Sequence, residues 1–357
     1  MPYFLNPYLF FLLEKEGVLV WDYKNHSQYL LEESHFAALC DLSQHLPIQD
    51  NLSPILRELE EAQLISTTPN AASEEWGWDI LSKIFHLGTQ NVYVPSDETS
   101  EKMLAQQYLN ECVKLAENTP SLFSEREGQL IDLPSPALEL LDQASLLAVL
   151  KNRKTCRHFS SQAMTLEDLS TLLFASFGLI HGDSWSESSH PDLKIIGMRK
   201  SAPASGGLHA EEIYVAAYRV SNLTPGIYHY RPQDHKLTLI TQGSFEEEII
   251  SVNYKQFYSR GLSCGFYVTS RLDKLWWKYK HSRAFKPALL DLGHVSQTFL
   301  LTATALHLQT WVTAAFEEKQ VDRLLQLPDT TESPFLFLGV GYGTGQAIPD
   351  AMQLING

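Results

Sequence analysis

A short basic cluster stands out in a chain whose formal net charge is −15: Lys151-Asn152-Arg153-Lys154-Thr155-Cys156-Arg157-His158-Phe159. Guanidinium groups can hold an anion through paired hydrogen bonds, and a threonine hydroxyl adds one more donor. The cluster therefore indicates a site for an anionic ligand such as a phosphate. Its composition alone favours the alternative, a solvated basic turn before a helix.

Small residues dominate a second segment, Lys200-Ser201-Ala202-Pro203-Ala204-Ser205-Gly206-Gly207. Because glycine has no Cβ, such a backbone can approach a flat ligand closely. An ordinary loop before the next strand would have a similar composition, so both interpretations stay open. No Gly-x-Gly-x-x-Gly pattern follows a strand, which argues against that kind of dinucleotide site. The continuous apolar run Phe335–Val340 predicts a buried strand, and the segment Gly339-Val340-Gly341-Tyr342-Gly343, which has no helix behind it, predicts a turn.

The run Trp276-Trp277-Lys278-Tyr279 could supply acid–base chemistry. Two indoles beside the lysine would keep water from its amine, lower the pKa of Lys278 and make it a base near neutral pH. Tyr279 adds a phenol that can donate or relay a proton. The alternative is an amphipathic surface helix whose tryptophans pack inward.

The elements that must position these residues fall into three predicted parts. Residues 1–67 show the pattern strand, strand, helix, helix, which is typical of a winged-helix-like module. Residues 68–147 predict a partly helical connector. Residues 148–357 mix helices and strands without a regular β-α-β alternation, which favours an α+β fold over a doubly wound sheet.

Composition excludes several classes of protein. An acidic chain repels phosphate backbones and anionic membranes, so we expect no nucleic-acid partner and no membrane partner. No apolar run approaches the roughly 20 residues of a membrane-spanning helix. The four cysteines are widely separated and form no Cys-x-x-Cys pair, so neither a zinc site nor a disulfide framework is indicated, and no metal is expected. We predict a cytoplasmic protein.

Taken together and in order, the clusters resemble one known family. Arg-x-Thr-x-Arg-x-Phe, Ala-Pro-Ala-Ser-Gly-Gly, Lys-Tyr and Leu-Leu-Asp-Leu-Gly-His-Val-Ser-Gln resemble the SagB-type dehydrogenases of the nitroreductase superfamily, over about residues 148–342. These are FMN-dependent azoline oxidases of peptide natural-product pathways. The resemblance implies a nitroreductase-like sheet wrapped by helices, forming a homodimer, behind the N-terminal winged-helix-like module.

The resemblance also implies roles for individual residues. Lys278 and Tyr279 match the catalytic Lys-Tyr pair of the family. The loop at Pro203–Gly206 would line the flavin ring, from the partner subunit, and the segment at Thr313–Ala315 would pass its other edge. The implied FMN-binding residues are Arg153, Lys154, Thr155, Arg157, Pro203, Ala204, Ser205, Gly206, Thr313, Ala314 and Ala315.

The implied reaction is the oxidation of a thiazoline or oxazoline ring to the aromatic azole, on a peptide or a carrier-bound substrate, with a cyclodehydratase as a possible partner. The chain departs from the family at His209-Ala210, where Tyr-Pro is usual, and at Tyr342, where a basic residue is common. Two alternatives remain: an NAD(P)H-dependent nitro or quinone reductase, and a non-catalytic scaffold that binds a precursor. Residues 1–67 would act either as a clamp for a peptide, which adds to a sheet edge, or as a buttress of the dimer.

Overall fold

The computed structural model describes residues 2–46, 53–69, 76–91, 100–116, 118–181, 199–328 and 330–349. Contacts divide the chain into two compact units, Met1–Pro95 and Ser96–Gly357. The predicted parts 1–67 and 148–357 each lie within one unit, whereas the predicted connector 68–147 contributes to both. The division into three parts stays a prediction.

The first unit contains a three-stranded antiparallel sheet with two helices packed against it. Val18 and Val20, which lie two residues apart on the central strand, turn toward these helices, as the period of a strand requires. The third strand was not predicted from the sequence. The elements of this unit are β1 (Phe4–Leu5), β2 (Leu9–Glu14), β3 (Gly17–Asp22), β4 (Ser27–Leu31), α1 (Glu33–Ser43), α2 (Ser53–Glu61), β5 (Ile65–Ser66) and α3 (Ile80–Gly88).

The second unit contains the residues for which chemistry is predicted. Its helices are α4 (Glu101–Ala116), α5 (Glu139–Asp142), α6 (Leu146–Asn152), α7 (Leu166–Phe177), α8 (Glu246–Val252), α9 (Leu272–Lys278), α10 (Phe285–Ala305) and α11 (Glu318–Leu325). Its strands are β6 (Leu130–Asp132), β7 (Glu211–Ala217), β8 (Gly226–Arg231), β9 (Lys236–Gln242), β10 (Cys264–Arg271), β11 (Gln309–Thr313) and β12 (Glu332–Gly341).

These seven strands form one sheet in the order β11-β12-β10-β7-β8-β9-β6. Each neighbouring pair of them runs antiparallel. Helices stand between groups of strands instead of alternating with parallel ones, so the chain has the predicted α+β fold.

Both faces of the sheet are covered, and β7 shows how. Ile213 and Val215 belong to an apolar cluster with α7 and α10, while Tyr214 and Ala216 belong to a cluster with α8 and α11. Alternate side chains of a strand point to opposite faces, so a strand covered on both faces is apolar throughout. The sheet is therefore a rigid platform, and α10 lies across the face that bears α7.

The predicted turn at residues 339–343 is wrong in its first part. Gly339 lies inside β12, where it pairs with Gly265 of β10 and with Trp311 of β11. A Cβ at Gly339 would stand 2.7 Å from Cδ1 of Leu262. Glycine at this position thus serves close packing around a central strand instead of a turn.

Among the described residues, no helix combines the length and apolar character that crossing a membrane requires. The same residues contain no group of three or more His, Cys, Asp or Glu side chains placed to hold a metal ion.

Candidate active site

The loop at Pro203–Gly206 is held in place by one carboxylate of α10. The backbone N–H of Ser205 donates to Oδ2 of Asp291 at 2.9 Å, and its hydroxyl donates to Oδ1 at 3.0 Å. Both oxygens of a buried carboxylate are thus used on one residue of the loop. Gly206 follows with φ +60°, a left-handed conformation that glycine adopts without strain.

Lys278 and Tyr279 meet this loop at Gly206. Nζ of Lys278 donates to the Gly206 carbonyl oxygen at 3.2 Å. A Cβ built on Gly206 would lie 2.5 Å from the Tyr279 hydroxyl and 2.7 Å from Nζ of Lys278. A larger residue at position 206 would therefore displace the pair. The ammonium group and the phenol stand side by side at the surface of the loop.

Burial shifts the three titratable groups of this centre. It lowers the pKa of Lys278, an effect that the nearby Cys112 thiol opposes. Burial raises the pKa of Tyr279, and Asp291 raises it further. Burial also raises the pKa of Asp291, against the hydrogen bonds from Ser205. The lysine therefore loses its proton more readily than usual, whereas the phenol keeps its own.

The shift of Lys278 has the predicted direction, but the two indoles do not enclose the amine as expected. Trp276 remains 47% exposed. Trp277 donates its indole N–H to the carbonyl oxygen of Leu115 in α4, at 3.2 Å. The prediction was right about the amine and wrong about the role of Trp276.

A buried lysine anchors α9 beneath the loop. Nζ of Lys274 donates to the His209 carbonyl oxygen at 3.0 Å and to the Leu122 carbonyl oxygen at 2.7 Å. Burial lowers the pKa of Lys274 to about 8, although Glu212 opposes this. The same lysine joins the helix that ends at Lys278 to the chain that leaves the loop, so it fixes one relative to the other.

Two carboxylates complete this buried layer. Glu211 forms an ion pair with Lys200 at 2.9 Å, and Glu212 contacts His229 at 2.9 Å. Burial alone would raise the pKa of both carboxyl groups; their partners lower the pKa of Glu211 overall and bring that of Glu212 to about 2. Both carboxylates are therefore ionised at neutral pH, and their charges are balanced inside the protein.

The basic segment lies elsewhere, along the edge strand β11. The chain leaves α6 at Arg153, Thr155 forms a parallel bridge with Thr310, and the N–H of Cys156 donates to the Thr310 carbonyl oxygen at 2.8 Å. The Arg157 side chain donates to the Ala347 carbonyl oxygen at 2.6 Å. The segment is thus joined to the sheet by backbone contacts, while the side chains of Lys151 and Lys154 are exposed.

Cationic side chains of this segment border a cavity of about 290 Å³, which is lined by Lys151, Asn152, Lys154, Thr304, His307, Leu308 and Gln309. In the part of the chain that the structure describes, neither Arg153 nor Lys154 forms an ion pair. Tyr342 lines an adjoining cavity that also contains Asn152, Thr304 and His307, and its hydroxyl donates to Asp168 at 3.3 Å. Such a set of amine, amide and hydroxyl donors suits an anion.

The segment at Thr313–Ala315 leaves the end of β11. The N–H of Ala315 donates to the Thr313 hydroxyl at 3.0 Å, and Gln256 donates to the Ala315 carbonyl oxygen at 2.8 Å. Ala314 borders a cavity of about 500 Å³ together with Gly293 of α10. The helix that anchors the Pro203–Gly206 loop through Asp291 therefore also lines the cavity beside Ala314.

The predicted site residues accordingly form two groups within one chain. The loop and the Lys278–Tyr279 pair make one group, and the basic segment and β11 make the other. Among the described residues, no hydrogen bond runs from Arg153, Lys154, Thr155 or Arg157 to the loop. Whether a second subunit joins the two groups stays a prediction.

Sequence reasoning missed Asp291 and Lys274 as parts of this centre. Asp291 could have been noticed, because it is the one acidic residue in the 21 residues of α10. Lys274 sits in a helix with other charged residues, and nothing in its spacing distinguishes it. Its role depends on burial, which only the fold determines.

Comparisons with known proteins agree with this fold. The profile described as the Nitroreductase family matches residues 150–342. A Methanocaldococcus jannaschii protein, provisionally named nitroreductase MJ1384, is 26% identical over 214 residues, or 60% of this chain and 98% of that protein. The trifolitoxin-processing protein TfxB of Rhizobium leguminosarum bv. trifolii is 28% identical over 141 residues, or 38% of each chain.

Among solved structures, a protein of Anabaena variabilis provisionally named a nitroreductase matches with a TM-score of 0.51 and 20% identity. The match covers 71% of this chain and 49% of that one, so the present chain spans about half of its length. It likewise spans well under half of TfxB. The profile match covers more than half of the present chain, and the sheet and helices that it spans are those described above. This chain therefore belongs to the nitroreductase family.

Proposed function

We propose that this chain is an FMN-dependent dehydrogenase that oxidises thiazoline or oxazoline rings, on a peptide or carrier-bound substrate, to the aromatic azoles. The observation that carries the proposal is the contact of Lys278 and Tyr279 with the loop at Gly206. An amine whose pKa is lowered by burial is a suitable base at neutral pH. A reductase of this family that only transfers hydride from NAD(P)H to a small acceptor does not need a side-chain base.

The donors near the basic segment suit the phosphate of FMN. Arg153 and Lys154 have no ionic partner among the described residues, and Thr155 adds a hydroxyl beside them. The basic residue that is common at position 342 is absent, but Lys151 and Lys154 border the neighbouring cavity and supply positive charge there. Ser205 and Gly206 on one side and Thr313 to Ala315 on the other would line the flavin ring.

The chain's own residues account for the proton transfers. Nζ of Lys278, when neutral, accepts the proton that leaves a ring carbon of the azoline. The Tyr279 phenol, which stays protonated, holds the heteroatom side of the substrate or passes a proton onward. FMN, when bound, would supply the acceptor for the hydride that leaves the neighbouring ring carbon, with molecular oxygen as the final oxidant. Asp291 keeps the loop and the pair at a fixed separation.

The name of TfxB, a trifolitoxin-processing protein, supports a place in the maturation of a peptide product. We therefore also propose that the chain forms a homodimer and receives its substrate from a cyclodehydratase, which forms the azoline ring by loss of water. A cytoplasmic location is part of the same proposal.

A second candidate is a small-molecule reductase that uses NAD(P)H. It is favoured by the archaeal relative provisionally named a nitroreductase, which the chain matches over 98% of that protein's length. Under this alternative, Lys278 would neutralise charge on a bound ligand and would not remove a proton.

The test is an assay of purified, FMN-loaded protein in air with a synthetic peptide that contains one thiazoline. We expect the peptide to lose two hydrogen atoms by mass and to gain the ultraviolet absorbance of a thiazole, without NAD(P)H. Rapid oxidation of NADPH in the presence of a quinone, with the thiazoline peptide unchanged, would contradict the proposal and support the reductase.

A further inference from the structure

Helix α4 has little support except where it covers the Lys278–Tyr279 pair. Among its described side chains, from Glu101 to Leu115, Cys112 is the one that is buried, with 3% of its surface exposed. Most of the others face solvent. A helix of 16 residues with a single buried side chain among those described gains little stability from an apolar core. Its few contacts therefore point to a role at the residues that it touches.

The contacts of α4 lie on one face and reach the end of α9. Tyr108, Cys112 and Leu115 are spaced by four and three residues, which places them on the same side of a helix. Nζ of Lys278 lies 5.8 Å from the centre of the Tyr108 ring, and Leu115 accepts the hydrogen bond from Trp277. Cys112 interacts electrostatically with both Tyr108 and Lys278.

We infer that Tyr108 is a positioning residue for Lys278. The Tyr108 ring covers the amine of Lys278 and keeps it against the Gly206 carbonyl oxygen. The inference rests on the proposed function, in which Lys278 is the base. It adds α4 to the active centre, although the sequence offers only a partly helical connector there. An aromatic face within about 6 Å of an ammonium group attracts it, which favours the charged form, and also excludes water from it, which disfavours that form. Burial is the larger effect at Lys278, so we expect the exclusion of water to dominate.

Several groups surround the Lys278 amine. Tyr108 and Cys112 face it from α4, Tyr279 from its own segment, and the Gly206 carbonyl from the loop that Asp291 holds. Burial is the largest of the effects on the pKa of Lys278 and lowers it, while Cys112 acts in the opposite direction. Burial also raises the pKa of Tyr108 to about 12, so this phenol is neutral at working pH.

Removal of the ring should therefore hydrate the amine. In Tyr108→Ala, water reaches Nζ, and the pKa of Lys278 moves up toward the ordinary value of a lysine. In Tyr108→Phe, the ring remains and only the hydroxyl is lost, so the pKa should stay where it is. Tyr108 is 49% exposed, so neither variant leaves a large cavity.

The experiment is trace acetylation of the full chain with acetic anhydride as a function of pH, followed by mass spectrometry of the Lys278 peptide. The exposed Lys280 in the same stretch serves as the internal reference. We expect the midpoint of Lys278 labelling to rise by about half a pH unit or more in Tyr108→Ala, and to stay unchanged in Tyr108→Phe. Turnover of the thiazoline peptide should fall about tenfold in the first variant and by less than about twofold in the second.

An unchanged labelling midpoint in Tyr108→Ala would overturn the inference, as would an equal shift in Tyr108→Phe, which would assign the effect to the hydroxyl. Should Tyr108→Ala fail to fold, Tyr108→Ser makes the same test. Labelling does not depend on the reaction. A shifted midpoint in a protein that leaves azolines untouched would therefore contradict the proposed function and not the cover of Lys278 by α4.

Discussion

The two groups of site residues carry their charges in opposite ways. Along β11, Lys154 is exposed and Arg153 is half-buried, and neither has an ion pair within the described ranges. Beneath the Pro203–Gly206 loop, the charges are buried and paired. Lys200 and Glu211, for example, are 9% and 6% exposed and 2.9 Å apart.

The difference indicates different tasks. Burying an ion pair costs desolvation energy, which the attraction between the charges repays only when the geometry is good. Such a pair therefore suits a place where backbone segments must keep a fixed separation. A cation left at the surface keeps its hydration and can exchange it for an anionic ligand. We conclude that the basic group is arranged to bind and the buried group to position.

The largest effect is expected at the centre that the buried group positions. Lys278→Ala and Tyr279→Phe should each lower azoline turnover by roughly 10²- to 10⁴-fold, because a placed acid or base contributes about that much. Both variants should retain their flavin absorbance and melting temperature. Lys280→Ala, which changes an exposed neighbour, is the control. Turnover close to that of the wild type in both variants would contradict the role of Lys278 and Tyr279 in proton transfer.

A smaller effect is expected in the binding group. Arg153→Ala should weaken FMN binding roughly 10- to 100-fold, since a hydrogen bond between charged groups contributes about 1.5–3 kcal/mol. Equilibrium dialysis measures the affinity directly. Lys319→Ala, which removes an exposed lysine paired with Asp322 on α11, should bind FMN normally. Equal affinity in Arg153→Ala and in the control would show that this surface charge does not serve the cofactor.

A third effect concerns the first unit, whose three-stranded sheet has β2 as an edge strand. We propose that an edge of its small sheet holds the substrate peptide, and Leu13 on the edge strand β2 is 86% exposed. Leu13→Glu should raise the KM for a long peptide about tenfold with kcat preserved, because one leucine side chain contributes about 1.5–3 kcal/mol on burial. Leu46→Glu, at an exposed leucine after α1, is the control. An unchanged KM would favour a unit that only buttresses the dimer.

The smallest effect concerns the pH dependence of stability. The pKa of Lys274 is lowered to about 8, whereas an unfolded lysine titrates near 10.5. Between these values the unfolded chain binds more protons than the folded one, so Lys274 adds stability as the pH rises through this window. Lys274→Met should remove that increase, seen as a flatter dependence of the melting temperature on pH. Parallel curves for the two proteins would show that Lys274 is not buried as described.

Much of the fold could be predicted from periodicity and capping. Helix α4 lies inside the segment that the sequence predicts to be partly helical. The hydroxyl of Thr165, just before α7, accepts a hydrogen bond from the N–H of Asp168, which is the local contact that a threonine makes at the start of a helix. Local signals suffice for such elements. The apolar run Phe335–Val340 correctly predicted a strand, but the glycines that follow were assigned to a turn, and the strand continues to Gly341. Glycine marks both turns and close strand packing, and only the neighbouring strands distinguish them.

The site was predicted less completely than the fold. The types of residue at Lys278 and Gly206 were recognised, and the structure places them in contact. The contributions of Asp291, Lys274 and Tyr108 could not be derived from spacing, because each depends on a contact between segments far apart in the chain. Burial turns an ordinary aspartate or lysine into an anchor, and burial is a property of the folded chain.

The most direct test of the account is the rate at which a thiazoline peptide reduces the flavin of the purified protein without oxygen, measured by stopped-flow absorbance over a range of pH. Because burial lowers the pKa of Lys278, we predict a rate that rises with pH and levels off below the ordinary range of a lysine. In Lys278→Ala the rate should be low and independent of pH over that range. A wild-type rate without this rise, or an identical profile in Lys278→Ala, would contradict the assignment of Lys278 as the base.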